Sequence, residues 1–373
     1  MRSLRAILPI AILAAAIVVQ AQEFAPGQVL VKFKEGSDPA ARLLAATVSS
    51  EVLGDVPALG VKVVAVPYGW NVPSLVRWLS KQPGVEYAEP DYIARAQVVP
   101  NDTYYNVQWG FPKIGAPTAW DRTRGAGVVV AVIDTGIEAS HPDISGQVVS
   151  QRDFVDNDYV AQDGNGHGTH TGGTVAAKSN NALGVASMAW DAKIMAVRVL
   201  DNNGSGTYSA IANGITYAAD NGAKVINMSL GGSAGSTTLQ NAVVYAYNRG
   251  LTIVASAGNN GNTAPNYPAY YSQCIAVAAT DQSDRRATFS TYGSWVDVAA
   301  PGVQIGSTYK GGQYVYMDGT SMAAPHVAGL AALLAAQGRS QADIRARILN
   351  GDPVSSRFGA YPTKRINAAK ATL

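Results

Sequence analysis

Residues Gly127-Val-Val-Val-Ala-Val-Ile-Asp-Thr-Gly136 decide how the chain is read. Six apolar residues follow one another, four of them valine, so the run is β-branched and has no polar face. It predicts a strand covered on both sides, and it stops at a carboxylate, Asp134. Working outward, Lys193–Leu200, Lys224–Leu230, Leu251–Ser256 and Cys274–Ala279 predict further strands. Between them, Tyr208–Asn221 has helical spacing with Ile211, Ile215 and Ala218 on one face, and Ser236–Arg249 predicts another helix. Strands alternating with helices predict an α/β fold, a mostly parallel sheet with helices on both faces. Reactive groups in such folds gather beyond the carboxyl ends of the strands, and Asp134, Gly231 and Asn259 all fall just past strand ends.

The rest of the chain sets the context. Charged residues are 14% of 373, the net charge is +2, and no basic block occurs, so nucleic acid is not an implied partner. The single cysteine, Cys274, rules out an intrachain disulfide, so the stability of an exported protein would rest on packing or bound metal. Met1–Arg5 is basic, Ala6–Val19 apolar, and Val19-Gln-Ala21 offers a small-residue cleavage site. Residues 1–21 thus read as a secretory signal peptide, too short an apolar run for the ~20 residues of a membrane span. The mature protein is expected to be secreted, with no membrane association after signal removal. Residues 22–97 predict a small α+β domain, with strands at Gln28–Phe33, Val61–Val66 and Val85–Pro90. Helices are expected at Ala40–Val48 and at Ser74–Lys81, the latter with Leu75, Trp78 and Leu79 inward. Ala94–Pro100 reads as a linker to the body, residues 98–373, which ends soon after a helix at Ser340–Asn350.

A second stretch carries chemistry: Gly319-Thr-Ser-Met-Ala-Ala-Pro-His-Val-Ala-Gly329 runs into Leu330–Ala336, a helix apolar nearly all round. Ser321 falls at or just before the helix N-terminus, either as an N-cap or as a nucleophile whose oxyanion the helix end favours. Pro325 is expected in about the first turn, where its missing N–H costs little. Asp134 is either a turn residue or a buried acid, and a buried acid needs partners. Asn165-Gly-His-Gly-Thr-His-Thr-Gly-Gly173 opens a helix through Ala177 and holds two of the four histidines, His167 and His170. Three residues apart, they could share a helix face and hold zinc, giving a metallohydrolase, but no HExxH pattern or third ligand accompanies them. Asp, His and Ser in this chain order match one known order of a nucleophilic triad.

Asp134-Thr-Gly136, His167-Gly-Thr-His170 and Gly319-Thr-Ser-Met-Ala-Ala-Pro325 together resemble the three active-site motifs of subtilisin-like serine proteases, most of all the thermitase-like members. The resemblance runs from about Pro100 to about Ala368 and includes Asn227-Met-Ser-Leu-Gly-Gly232, Ala257-Gly-Asn259 and Pro265-Asn-Tyr-Pro-Ala-Tyr-Tyr271. Residues 22–97 resemble the family's inhibitory propeptide, which implies a domain that aids folding and blocks the site until cut near Gln97–Val98. The resemblance implies a serine endopeptidase with Asp134 as orienting acid, His167 as base, Ser321 as nucleophile and Asn259 as oxyanion residue. It leaves His141, His170 and His326 structural. Its partners would be polypeptide substrates and its own propeptide, and its state monomeric. The competing reading is a non-catalytic binding relative, which a damaged triad would signal.

For the cleft, the resemblance implies S1 walls formed by Ser229, Leu230, Gly231 and Gly232 and by Ser256, Ala257 and Gly258, with Tyr208 at S4. It also implies structural calcium. One set is Asp153, Asp156, Asp158 and Gln162 with the Val160 carbonyl; three carboxylates so close repel unless solvated or bridged. A second set is Asp102, Asp143 and Asn181 with the carbonyls of Lys178, Leu183 and Val185. Thr171 stands where thermitase-like relatives carry a cysteine, so thiol sensitivity there is expected to be absent. Peptides with Phe or Leu at P1 are expected to be cut faster than peptides with Asp; equal rates in a peptide series would contradict the apolar preference.

Overall fold

The computed structural model describes residues 24–35, 51–94, 98–354, 358, 361 and 363–373. The chain divides into two units, Met1–Ala96 and Gln97–Leu373. The expected signal peptide, the helix at Ala40–Val48 and the chain around Gln97 lie outside the described residues.

The first unit holds β1 (Phe24–Phe33), β2 (Val52–Val56), β3 (Val61–Ala65), α1 (Val72–Leu79) and β4 (Val85–Tyr92). Its strands form one antiparallel sheet in the order β2-β3-β1-β4. Helix α1 begins two residues before the expected Ser74. Asn71 is the cap: its side chain accepts from the Ser74 N–H at 2.9 Å, and the Ser74 hydroxyl accepts in return from the Asn71 N–H at 3.1 Å. Val72, Leu75 and Leu79 then bury against Val29, Val31, Val64 and Val85, which form a small core among the described residues. Trp78, expected inward, is only partly buried at its edge.

The second unit is built on β5 (Val129–Asp134), β6 (Val148–Asp153), α2 (His167–Ala176), β7 (Lys193–Arg198), α3 (Tyr208–Asp220), β8 (Val225–Met228), α4 (Thr237–Asn248), β9 (Thr252–Ser256) and β10 (Cys274–Thr280). Then follow β11 (Val298–Pro301), β12 (Ile305–Tyr309), β13 (Gln313–Met317), α5 (Thr320–Ala336), α6 (Gln341–Leu349), β14 (Asp352–Pro353) and β15 (Lys364–Arg365). The main sheet has the order β14-β15-β11-β10-β9-β8-β5-β7-β6, and every pair is parallel except β14–β15. Strand β5 pairs with β7 on one side and β8 on the other, so the chain reverses its winding direction there. The carboxyl end of β5, where Asp134 stands, is therefore the crevice of the sheet.

Alternation along the strands separates two cores. Val130, Val132, Ile194, Val254 and Val277 face α5, while Ala131, Ile133, Met195, Ile226 and Ile253 face α3 and α4. Both faces are covered, which is why β5 has no polar residue before Asp134. Strands β6 and β11 and the hairpin β12–β13 were not expected. The first is a half-polar edge strand, the second is four residues ending in proline, and the hairpin mixes polar residues with tyrosine.

Helix α5 passes so close to the Met188 segment that only glycine fits at 329. A Cβ there would stand 2.4 Å from Met188 Cβ and 2.7 Å from its Cγ. In an open helix Gly→Ala gains about 1 kcal/mol; overpacking costs about 1–3 kcal/mol, and here it wins. Gly329→Ala is expected to lower the melting temperature by several degrees in a thermal melt; a rise would contradict this packing.

Candidate active site

Asp134 is fully buried. Its Oδ1 accepts from the Thr135 N–H at 2.8 Å and from His167 Nδ1 at 2.7 Å. Thr171 donates to Oδ2 at 3.3 Å, and its hydroxyl lies 3.1 Å from the Gly168 carbonyl. The bond to Asp134 fixes the His167 tautomer with the proton on Nδ1 and leaves Nε2 with a lone pair. Burial alone would lower the His167 pKa, but the Asp134 charge, its hydrogen bond and the charge of Asp163 together raise it above the ordinary imidazole value.

Sequence reasoning missed Asp163. It is buried and accepts from Thr135 Oγ1 at 2.9 Å, Gly166 N at 2.7 Å, Thr169 N at 2.8 Å, Thr169 Oγ1 at 2.7 Å and Asn165 N at 3.0 Å. It ties down the amides that open α2 and puts negative charge at that helix's positive end. An Asp four residues ahead of a helix-opening histidine was the available signal. His170, three residues on, turns to other partners: Nε2 donates to the carbonyls of Ile305 at 3.0 Å and Val315 at 3.3 Å, and burial lowers its pKa to about 4. Among the described residues no three His, Cys, Asp or Glu side chains converge on a metal position, so His167 and His170 do not form the zinc pair considered from sequence. His141 donates to the Gln313 carbonyl at 3.0 Å, and His326 to the Met322 carbonyl at 2.9 Å.

Ser321 is not a cap. The cap position belongs to Gly319, and Ser321 is the second residue of α5. From Thr320 to Leu334 every residue is buried except Ser321. Pro325 accordingly falls in the second turn rather than the first. Ser321 Oγ donates to the Ser229 carbonyl at 3.1 Å, and Ser229 Oγ donates to the Ser321 carbonyl at 2.8 Å. The Ser321 hydroxyl is thus turned to Ser229, not to His167.

Asn259 is held by Thr320. Its Oδ1 accepts from Thr320 N and Thr320 Oγ1, each at 2.9 Å, while Thr320 Oγ1 accepts from Gly258 N at 3.1 Å. This fixes the amide so that Nδ2 points away from Thr320. The place where a side chain at Gly319 would begin lies 3.5 Å from both Asn259 Nδ2 and Ser321 N. Two nitrogens able to donate therefore lie close together at the start of the helix, with Met322 Sδ 3.6 Å from the same point; a pair of donors so placed suits a developing oxyanion.

A cavity of about 410 Å³ adjoins these groups and is lined by His167, Tyr208, Ser229, Leu230, Gly231 and Gly232. It also takes in Leu200 and Gly204–Gly206, which sequence reasoning did not single out. The N–H and C=O of Gly232 are already paired with Tyr267 at 2.9 and 2.8 Å. Ser256, Ala257 and Gly258 do not line this cavity; Ser256 ends β9, and Gly258 N donates to Thr320 Oγ1 at 3.1 Å. A larger cavity of about 550 Å³, between Tyr104–Gln108 and the β12–β13 hairpin, contains neither the serine nor the base.

The two calcium sets differ. Asp102 and Asp143 are both buried, and the Asp143 carboxylate accepts from Asn181 Nδ2 at 2.9 Å and Val185 N at 2.8 Å. Burial pushes the Asp143 pKa up to about 6, with Asp102 adding to the rise against those hydrogen bonds. Two buried acids, one raising the pKa of the other, fit a hard cation. In the other loop, Arg198 Nη1 donates to both Asp153 (2.6 Å) and Asp156 (2.5 Å), and Asp158 Oδ1 accepts from Val160 N at 2.8 Å. The Val160 carbonyl accepts from Gln162 N at 2.8 Å. One arginine already bridges two of these three carboxylates, so a cation there has to compete with it.

Comparison with known proteins follows the same lines. The model of the Subtilase family matches residues 125–360, and that of the Fervidolysin N-terminal prodomain matches residues 11–91. The chain is 60% identical over 274 residues to thermitase of Thermoactinomyces vulgaris, covering 73% of this chain and 98% of that one. It is 50% identical over 353 residues to the thermophilic serine proteinase of Bacillus sp. (strain AK1), covering 93% and 88%. A solved protease structure from Pseudoalteromonas arctica PAMC 21717 superposes with a TM-score of 0.69 at 35% identity, covering 74% of this chain and 99% of that one.

The Asp102–Asp143 set yields a test in a thermal melt of Ser321→Ala protein. Calcium at a hundred times its Kd is expected to add about 2.7 kcal/mol, or about 5 °C in the melting temperature. Asp143→Asn is expected to abolish most of that response; an undiminished calcium response would remove this site.

Proposed function

The chain belongs to the subtilase family of serine endopeptidases, with an N-terminal prodomain ahead of the peptidase unit, and on that footing we propose that Asp134, His167 and Ser321 are its catalytic triad. The observation that carries this reading is the 2.7 Å bond from His167 Nδ1 to a fully buried carboxylate, at the mouth of a cleft where one unburied serine opens a buried helix. In the proposed reaction the Ser321 hydroxyl turns from the Ser229 carbonyl to His167 Nε2 and gives up its proton as Oγ attacks the scissile carbonyl. The tetrahedral oxygen accepts from Asn259 Nδ2 and Ser321 N. His167 then protonates the leaving amine, and water, deprotonated by the same base, hydrolyses the acyl-enzyme. Asp134 stays ionised throughout and stabilises the imidazolium.

The finer reading follows from the same residues. An extended polypeptide lies along Ser229–Gly231, with Ser256–Gly258 as the other wall and the Tyr208 ring at the far end. The apolar lining from Leu200 and Leu230 favours large apolar P1 side chains. Calcium, held by Asp102, Asp143 and Asn181 with the carbonyls of Lys178, Leu183 and Val185, would neutralise two buried acids and so stabilise the fold; the Asp153–Gln162 loop is the weaker candidate. Residues 1–21 would export the chain, and the described residues include no helix long and apolar enough to cross a membrane. Residues 22–97 would assist folding and inhibit the peptidase until cleavage near Gln97–Val98. The working form would be a monomer.

Hydrolysis of a Phe-at-P1 peptide anilide tests this reading. Ser321→Ala is expected to lose about 10⁶ in kcat and to remain uncut as a precursor, a magnitude measured on subtilisin rather than obtained from this geometry. Asn259→Ala is expected to lose about 10²–10³ with an intact triad, again the family's own figure. Because His167 must be neutral to act and its pKa is raised, the acid limb of activity is expected above the ordinary histidine value. Asp134→Asn should move that limb down while lowering kcat. Full activity in Ser321→Ala would end the proposal.

A further inference from the structure

We propose that Ser229 is a positioning residue for Ser321, its hydroxyl holding the nucleophile's carbonyl in place of the helix donor that Pro325 removes. The inference rests on the reading of Ser321 as nucleophile. In an α-helix the N–H of residue i+4 bonds the carbonyl of residue i. For Ser321 that residue is Pro325, inside the helix, which has no N–H and whose ring crowds the carbonyl four residues back. This carbonyl belongs to the residue that has to be placed most accurately, and every helix residue from Met322 to Leu334 after it is buried.

Ser229 supplies the missing donor. Its Oγ donates to the Ser321 carbonyl at 2.8 Å and accepts from Asn227 Nδ2 at 3.1 Å. Asn227 is fully buried and Ser229 nearly so, so neither side chain is free to turn elsewhere. The amide of Asn227 uses up one acceptor position of the Ser229 oxygen and leaves the hydroxyl hydrogen directed at Ser321. The return bond, Ser321 Oγ to the Ser229 carbonyl at 3.1 Å, joins the same two residues in the opposite sense. Main chain and side chain of the nucleophile are thus both referred to one residue at the end of β8, the strand beside the one that carries Asp134. The helix break at Pro325 and the Asn227–Ser229 relay are two halves of one device. The proline frees a carbonyl, and the relay uses it to lock α5 to the substrate-binding segment.

A double-mutant cycle separates this role from a merely structural one. Pro325→Ala restores a helix N–H for the Ser321 carbonyl, so it should make the Ser229 hydroxyl dispensable. With Pro325 present, Ser229→Ala is expected to lower kcat about 5- to 100-fold, the effect of stranding a buried carbonyl. KM should stay within about threefold, because the backbone of residue 229 is unchanged. Ser229→Cys, with a weak S–H donor, should lose less than Ser229→Ala. In the Pro325→Ala background all three side chains at 229 should give kcat values within about threefold of one another. Active-site titration with a phosphonylating reagent counts competent molecules, so a misfolded fraction does not register as slow turnover. A kcat unchanged by Ser229→Ala, or an equal loss in both backgrounds, would overturn the proposal. Failure of the unmutated protein to be titrated at Ser321 would instead remove the underlying reading of the nucleophile.

Discussion

A carboxylate with no exposed atom, at the end of a strand with no polar residue, is the constraint on which the rest of the site depends. An ionised acid in that position is untenable without close partners. Asp134 finds them in its own chain neighbour, in Thr171 and above all in His167 Nδ1. Helix α2 must therefore begin directly over the end of β5, and Asp163 ties down the amides of that beginning. Thr135 joins the two acids: its N–H goes to Asp134 and its hydroxyl to Asp163, while the same hydroxyl accepts from Gly168 N at 2.9 Å. The two acids thus act on His167 in different ways. One bonds the ring, and the other anchors the helix that carries it and adds to the field that raises its pKa.

Helix α5 sets the opposite side of the cleft by a different means. It runs through the middle of one core layer, touching β8, β9, β10 and α2, and is made mostly of Ala, Gly and Leu so that it fits. A helix so enclosed can show a polar group to solvent only at its first turn, where Ser321 stands. Thr320 beside it is turned inward to fix the Asn259 amide, so the two donors beside the serine are organised before any charge develops. On the proposed reading the same helix supplies the nucleophile, one donor and the residue that aims the other.

Much of this was legible in the sequence. The run ending at Asp134, the small-residue run after Ser321 and the alternation of strands with helices each have a direct physical cause in burial, and the structure has those elements within a residue or two of the expected ends. Spacing does not separate His167 from His170, because both lie on one helix; their partners differ, a carboxylate for one and two carbonyls for the other. The reading of Ser321 as a possible cap failed because the helix begins one residue earlier, with Gly319 in the cap position. Pro325 was misplaced by a turn for the same reason. Asp163 and the hydroxyl of Ser229 were invisible because their significance lies in contacts with residues far along the chain. In the Asp153–Asp158 loop, the local cluster of acids suggested a cation, while the arginine that meets two of them is forty residues away in sequence and adjacent only through the pairing of β6 with β7.

The central claim is that Ser321 is made nucleophilic by a histidine whose proton is held on Nδ1 by Asp134. Mass spectrometry of the protein after treatment with a fluorophosphonate reports directly on this, as a function of pH, in the unmutated chain and in His167→Ala. The account predicts one adduct per molecule, on the peptide containing Ser321, formed with a rate that rises through the raised pKa of His167 and is lost in His167→Ala. An adduct on another residue, or labelling of Ser321 that is equally fast without His167, would contradict it.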